Sequence, residues 1–283
     1  ATGFAVAGLH AYLILKGKNV NFHREAFKIS SVLAITAAML APLSGDISAK
    51  DVAKRQPIKL AAMEAHFKTE ESAPFVLGGI VDESKEEIKY AIKVPGVLSF
   101  LVHSDFKTPV KGLEEFPKDE WPPVAVVHYA FQIMITFGML MMGIAVIYLI
   151  AQFFKKDWRT KRWFYKLFMI ATPFGYIALE AGWTVTEVGR QPWVVYGVMR
   201  TKDALSPVSA EQVGLTLIIF VVVYCIVFGI GIYYMLKLMH KGPQFIYATP
   251  ESVAHSEEAV ILASKRPLTS VEDSVDSNEQ ERK

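Results

Sequence analysis

Cysteine is almost absent from this 283-residue sequence, in which Cys225 is the only one. A single thiol excludes a disulfide within the chain and any zinc or iron–sulfur site built from several cysteines. Cys225 lies inside an apolar run, where a small buried hydrophobic residue is the simplest interpretation. An excess of charge of one sign is also lacking, since the formal net charge is only +2. This balance carries no information about nucleic acid, and we expect no nucleic-acid partner.

An initiating methionine and the pattern of a signal peptide are lacking as well. The first residue is Ala1 rather than Met, and no charged segment precedes the apolar stretch that opens the chain. No A-x-A-type cleavage site follows, so the pattern does not predict a signal peptide. We expect instead a fragment whose natural start lies upstream.

Long apolar runs are abundant. The sequence is 52% hydrophobic and its mean hydropathy is +0.29, values that indicate a membrane protein. A helix needs ~20 apolar residues to cross about 30 Å of hydrocarbon. Ala1–Leu15 is shorter and resembles the second half of a span. The four full spans that we predict are Phe27–Leu43, Val124–Phe153, Phe164–Trp183 and Val213–Leu238. All should be helical, because backbone polar groups in lipid need partners within their own segment.

Basic residues predict the orientation of these spans. Three short flanks are rich in Lys and Arg, and all three fall on one side of the membrane if five segments cross it. These flanks contain Lys16, Lys18 and Arg24; Lys155, Lys156, Arg159, Lys161 and Arg162; and Lys237 and Lys241. The positive-inside rule places these flanks in the cytoplasm. The predicted fold is therefore an all-α polytopic transmembrane helix bundle with a long extracytoplasmic loop.

Four regions follow from this organisation. Residues 1–44 hold the short span and one full span, and residues 45–123 form the extracytoplasmic loop. Residues 124–241 hold three spans. Residues 242–283 lack apolar periodicity, so we predict a disordered cytoplasmic tail.

The third full span, Phe164–Trp183, leads into the sequence YIALEAGWTVTEVGRQPW. Glu180, Trp183, Glu187 and Arg190 follow one another at spacings of three, four and three residues, which places them on one helical face. Ionisable residues inside spans are costly and usually face a cavity or cofactor. The alternative is that the Trp and the charges anchor the helix end at the membrane interface.

Other candidates are individually weak. Met134 is one of several thioethers in HYAFQIMITFGMLMM, where Met usually fills gaps in a core. His128 is either a ligand or an interfacial side chain, and His10 is most simply a packed residue. Lys59 and Glu64 lie five residues apart in a polar segment, where a surface amphipathic turn is the default interpretation.

Three motifs together resemble subunit I of the cytochrome bd quinol oxidases. EAGWTVTEVGRQPWVVYGVMRTKDALSP resembles that family's signature, with GRQPW preceded by W-x-x-x-E. Gly45–Asp46 followed by QPIKLAAMEA resembles its quinol loop, and FQIM resembles its methionine-ligand segment. The similarity runs in order from Ala1 to about Lys241. The resemblance implies a subunit with nine spans and three haems, of which this chain would hold the last five spans.

The resemblance also implies roles for individual residues. Met134 would be an axial ligand of a low-spin haem b, with its His partner just upstream of Ala1. Glu187 would be the axial ligand of a high-spin haem b. Trp183 would pack among the haems, and Arg190 would neutralise propionate or ligand charge.

Further implied roles concern the substrates. Glu180 would carry protons, and Lys59 and Glu64 would bind quinol. The haem d ligand would be a His on a first span that this chain lacks.

Two features set this sequence apart from many family members. Gln132 stands where an Arg is common, and the short stretch from Gly112 to Pro122 indicates the short-quinol-loop class. The implied function is quinol oxidation with reduction of oxygen to water, together with a subunit II, and we expect the isolated fragment to be inactive. The alternative is a non-enzymatic membrane transporter or scaffold with an acidic proton path.

Overall fold

The computed structural model describes residues 1–154, 160–205 and 207–241, which divide into two units at residue 206. Residues 155–159 lie outside the described residues, and with them Lys155, Lys156 and Arg159, which contributed to the predicted orientation. So does the tail 242–283, for which we predicted disorder.

The first unit contains seven α-helices among its described residues. Their bounds are α1, Thr2–Leu15; α2, Val20–Arg55; α3, Pro57–Met63; α4, Val97–His103; α5, Val124–Phe153; α6, Arg162–Ile170; and α7, Phe174–Val188. Three small antiparallel pairs of strands accompany them: β1, Phe75–Leu77, with β4, Ile92–Val94; β2, Ile80–Asp82, with β3, Glu87–Lys89; and β5, Trp193–Val195, with β6, Met199–Arg200. Helices hold most of the described chain, which confirms the predicted helix bundle.

An aromatic cluster forms the core between α1, α2, α5 and α6. Phe4 stacks on Phe168 with ring centroids 5.6 Å apart, and Phe27 meets Phe168 edge-on at 5.1 Å. Phe164 and Phe168 are fully buried. Gly8 lets α1 approach α6 closely, because a Cβ there would collide with Thr172 and with the carbonyl of Phe168.

Helix α2 is longer than we predicted. The apolar run suggested an end at Leu43, but the helix continues through Gly45 and Asp46 to Arg55. Ion pairs one helical turn apart support the polar extension: Lys50 Nζ lies 2.8 Å from Asp46 Oδ2, and Arg55 Nε lies 2.7 Å from Asp51 Oδ1. The first part of the predicted loop therefore belongs to a helix.

The predicted continuous span Phe164–Trp183 is wrong, since the structure divides it into α6 and α7. A turn over residues 171–173 separates the two helices. Pro173 explains the break, because proline has no backbone N–H and its ring collides with the preceding turn of a helix. The second helix then runs on to Val188 and brings Glu187 into regular helix.

The segment between α2 and α5 is folded rather than extended. Helix α3 packs against the start of α5, with Ile58, Ala62 and Val127 in one buried cluster. The paired strands β1–β4 and β2–β3 follow, and α4 closes a second cluster around Leu98 and Val110. The segment thus forms a small structured region that α3 joins to the bundle.

Helix α8, Ala210–Lys241, belongs to the second unit. Phe220, Tyr224 and Phe228 stack along one side, with centroid separations of 4.6 and 5.3 Å. Among the described residues, three helices are long and apolar enough to cross a membrane, namely α2, α5 and residues Ala210–Leu238 of α8. Helix α1 is apolar but has only 14 residues.

Candidate haem and quinol sites

The end of α7 carries the residues that the sequence singled out. Glu180, Trp183 and Glu187 are helical, whereas Arg190 lies in the turn after the helix ends at Val188. Trp183 is 67% exposed, and Glu180 is exposed as well. The predicted shared face therefore holds for the three helical residues, and Arg190 reaches it from the turn.

Arg190 and Glu187 form an ion pair, with Nη2 and Oε2 2.8 Å apart. The guanidinium is not fully satisfied by this contact, because Arg190 Nε is buried without a hydrogen-bond acceptor among the described residues. Trp193 Nε1 is likewise buried without a hydrogen-bond acceptor among the described residues. A buried donor left unpaired costs about 1–3 kcal/mol, so the turn is suited to receive an external acceptor such as a carboxylate.

The turn after α7 is held in place by Arg200. Its guanidinium binds Asp119 Oδ2 at 2.9 Å and Glu120 Oε1 at 3.2 Å. It also lies 5.1 Å from the centre of the Trp193 ring, which is close enough for a cation–π contact. The GRQPW turn is thereby fixed against the segment that leads into α5.

Met134 lies on the side of α5 that packs against α7. A Cβ at Gly182 would stand only 3.0 Å from Met134 Sδ, so the glycine leaves room for the thioether. Gly182 precedes Trp183 directly. The structure therefore brings Met134 to the helix that bears Glu187.

Lys59 links α3 to the end of α7. The side chain is only 8% exposed, and Nζ donates to the carbonyl of Thr186 at 3.4 Å. Its aliphatic part packs on Gly189, whose Cβ, if present, would lie 3.3 Å from Lys59 Cγ and Cε. Burial lowers the pKa of Lys59, Glu187 opposes that shift, and Arg190 adds to it. The ammonium thus lies beside the C-terminal end of α7, where the helix dipole favours a cation.

Glu64 has a different environment from Lys59. It is 2% exposed, and its hydrogen bond is from the backbone N–H of Val76, at 3.5 Å from Oε2. Burial raises the pKa of Glu64 to about 8, although the Val76 bond opposes the shift. Glu64 is therefore mainly a neutral acid at pH 7, poised to exchange a proton.

Gln132 and His128 are functional candidates whose partners sequence reasoning missed. Gln132 Nε2 donates to the carbonyl of Val76 at 2.7 Å, and its Oε1 accepts from the N–H of Gly78 at 3.1 Å. His128 is fully buried, and its Nδ1 bonds the carbonyl of Met63 at 2.9 Å. Both side chains fix the backbone that surrounds Glu64, and the sequence gives no signal for such long-range pairs.

A cavity of about 340 Å³ opens beside this region. Its lining is charged and includes Lys68, Lys85 and Lys93 together with His66. Neither Lys59 nor Glu64 lines it, so the cavity does not join the two predicted quinol residues. Among the described residues, no group of three or more His, Cys, Asp or Glu side chains is arranged to hold a metal ion.

The profile of the family described as cytochrome bd terminal oxidase subunit I matches residues 1–243. The chain belongs to this family.

Individual relatives agree with that assignment. The chain is 32% identical to the cytochrome bd ubiquinol oxidase subunit 1 of Bacillus subtilis, over 86% of this chain and 54% of the relative. It is 27% identical to the cytochrome bd-II ubiquinol oxidase subunit 1 of Escherichia coli, over 84% of this chain and 59% of the relative. The chain thus spans little more than half the length of these curated relatives.

A solved bd oxidase structure from Geobacillus thermodenitrificans shows the same fold. The TM-score is 0.75 at 36% sequence identity, and the match covers 86% of this chain and 55% of that chain. Both the family resemblance and the polytopic helix-bundle fold inferred from the sequence are confirmed.

Subunit I of a cytochrome bd oxidase carries haem, and the residues of this chain fit such a group. Met134 offers a thioether and Glu187 a carboxylate, both of which are known haem or iron donors. Arg190 Nε and Trp193 Nε1 are buried donors without an acceptor in the part of the chain that the structure describes. A haem propionate presents the acceptor oxygens that such donors need.

Replacing Glu64 with Gln should change how stability depends on pH. Between pH 4.5 and about 8 the folded protein keeps the Glu64 proton while the unfolded chain loses it. The free energy of unfolding of the native protein should therefore fall with rising pH in that window and level off above it. Glu64→Gln has no proton to lose, so its stability advantage should grow to the order of a few kcal/mol.

Thermal unfolding of the purified complex between pH 5 and pH 9 measures this effect. The exposed Glu71 supplies a matched control, since Glu71→Gln should follow the native curve. Parallel curves for Glu64→Gln and the native protein would show that Glu64 is not a buried neutral acid.

Proposed function

We propose that this chain supplies the quinol-oxidising segment and two haem-ligand positions of a terminal respiratory oxidase that oxidises quinol and reduces oxygen to water. Support comes from the names of the relatives, which are quinol oxidase subunits. The family profile covers α1 to α8, including the GRQPW turn and α3. The proposed cofactors are a low-spin haem b, a high-spin haem b and haem d.

The observation that carries the proposal is the contact between Lys59 and the end of α7. A residue of the proposed quinol segment places its charge beside the carbonyl of Thr186, the residue before Glu187. The substrate segment and the proposed haem ligand are thus one packed unit. A transporter or scaffold gives no reason for this arrangement.

Glu64 and Lys59 have complementary parts in quinol oxidation. Glu64, with its pKa raised to about 8, can accept a hydrogen bond from a quinol hydroxyl through its carbonyl oxygen while neutral, and it can accept a proton in its ionised form, which grows as the pH approaches 8. Lys59, which donates to the carbonyl of Thr186 at the end of α7, would offer a hydrogen-bond donor to a quinol oxygen. Because each residue has its own protein partner, the two do not form a bonded pair.

The haems, when bound, supply the one-electron steps between quinol and oxygen. Met134 would hold the low-spin haem b, and Glu187 the high-spin haem b. Arg190 would bind propionate oxygens through its fork of donors, with Trp183 packed against the group. Glu180, which lies two helical turns before Glu187 on α7, would carry protons.

The proposed assembly lies in a bacterial inner membrane with a subunit II, and the C-terminus of this chain is cytoplasmic. Oxygen reduction would need ligands beyond this chain, since it covers 54% of its Bacillus relative. We therefore propose that the chain alone does not turn over.

Met134→Leu should remove the low-spin haem b signal and leave the high-spin signals in place. Leucine keeps the volume nearly constant, so the packing against Gly182 should survive. Reduced-minus-oxidised absorption spectra of the full complex measure the change. Met139 is 57% exposed, so Met139→Leu is the matched control and should leave the spectrum unchanged. An unaltered low-spin band in Met134→Leu would assign Met134 to packing alone.

Glu187→Gln should lose the high-spin haem b, because an amide replaces the anionic ligand and also breaks the Arg190 ion pair. Glu180→Gln should keep that haem and slow oxygen reduction. Haem content, low-temperature spectra and oxygen uptake of the two variants separate the roles. Full haem retention in Glu187→Gln would contradict the ligand assignment and favour a proton path along α7.

A further inference from the structure

Two histidines from neighbouring helices meet at the turn between α1 and α2. The Nδ1 atoms of His10 and His23 are 2.9 Å apart. The ring centroids are 5.1 Å apart with an interplanar angle of 34°. His23 is only 6% exposed. Nothing in the proposed haem or quinol chemistry uses either residue.

The two nitrogens converge on one point. As a simple hydrogen bond, the contact requires one ring to carry its proton on Nδ1 and the other to present a lone pair. A divalent cation removes that requirement, because both nitrogens can then be bare. With metal–nitrogen distances of 2.0–2.1 Å, tetrahedral ligands stand about 3.3 Å apart. The observed separation of 2.9 Å between the two Nδ1 atoms is therefore close to the separation of two nitrogens that bind one metal ion.

Packing holds both rings in this arrangement. The edge of Phe22 meets His10 at 6.3 Å and His23 at 5.1 Å, with near-perpendicular rings. The backbones of α1 and α2 are also in close contact, since a Cβ at Gly3 would lie 2.8 Å from the Cα of Ala34. Each ligand is thus carried by a helix rather than by a loop, which favours a defined geometry.

We infer that His10 and His23 form a two-histidine site for a divalent transition metal of the Zn²⁺ or Cu²⁺ class. Imidazole nitrogen is a preferred ligand for both ions. Water completes the coordination, because no cluster of three or more candidate ligands occurs among the described residues. The nearby carboxylate of Glu25 is engaged with Lys28 at 2.6 Å.

Zn²⁺ binding to the purified full complex tests the site. Equilibrium dialysis should show that His10→Phe and His23→Phe each lose affinity by at least the roughly tenfold to hundredfold that even an outer-shell partner costs. Phenylalanine keeps an aromatic ring against Phe22. His103, an exposed residue at the end of α4, supplies the matched control, and His103→Phe should bind Zn²⁺ like the native complex. Unchanged affinity in both pair variants overturns the site.

A second comparison keeps the test decisive if a phenylalanine variant fails to assemble. His10→Cys retains a metal donor at the same place, so it should bind Zn²⁺ with affinity close to native. In the native complex, the Cu²⁺ electron paramagnetic resonance spectrum should show coupling to two imidazole nitrogens, and this coupling should drop to one in His10→Cys. A native spectrum with fewer than two coupled nitrogens, or an identical spectrum in His10→Cys, overturns the proposal.

Discussion

A single buried cation, Lys59, sets the relation between the folded segment and the helix bundle. An ammonium taken out of water is costly unless it finds partners, and here the partners are the carbonyl of Thr186 and the charge of Glu187. Gly189 admits the aliphatic stem. Because these groups all belong to the end of α7, they favour one position of α3 on the bundle. The folded segment therefore lies next to the GRQPW turn.

Glu64 is likewise connected to the helix bundle, through Gln132 on α5. An amide can donate and accept at once, and Gln132 uses both abilities on the backbone of Val76 and Gly78. An arginine at this position would have donors alone and could not accept from the N–H of Gly78. Val76 in turn donates to Glu64. Gln132 lies two residues before Met134, so α5 joins the proposed haem ligand to the buried acid through a short series of bonds.

Local patterns predicted much of this fold. The apolar runs located α1, α5 and α8, and the spacing of three and four residues predicted the shared face of Glu180, Trp183 and Glu187. The break at Pro173 had a visible signal, since proline interrupts helices, but apolarity on both sides concealed it. The polar end of α2 also had a signal, in acidic and basic residues four apart, which a search for apolar residues alone does not detect.

Partners that are distant in sequence were beyond such reasoning. Lys59 and Thr186 are 127 residues apart, and Gln132 and Val76 are 56 apart. Only the packing of α3 on α5 and α7 brings them together. The resemblance to the family predicted which residues matter. The structure buries Lys59 and Glu64 and gives them separate partners, where the default interpretation of the sequence was a surface amphipathic turn.

The midpoint potential of the haem proposed at Glu187 tests most directly whether Lys59 couples the proposed quinol segment to the end of α7. Removing a nearby positive charge disfavours the reduced haem, so Lys59→Met should lower that potential in a redox titration of the full complex. Lys59→Arg keeps the charge, so its midpoint potential should stay close to the native value. Lys68 is exposed, and Lys68→Met is the control that should leave the potential unchanged. A potential in Lys59→Met equal to that of the native complex would contradict the coupling.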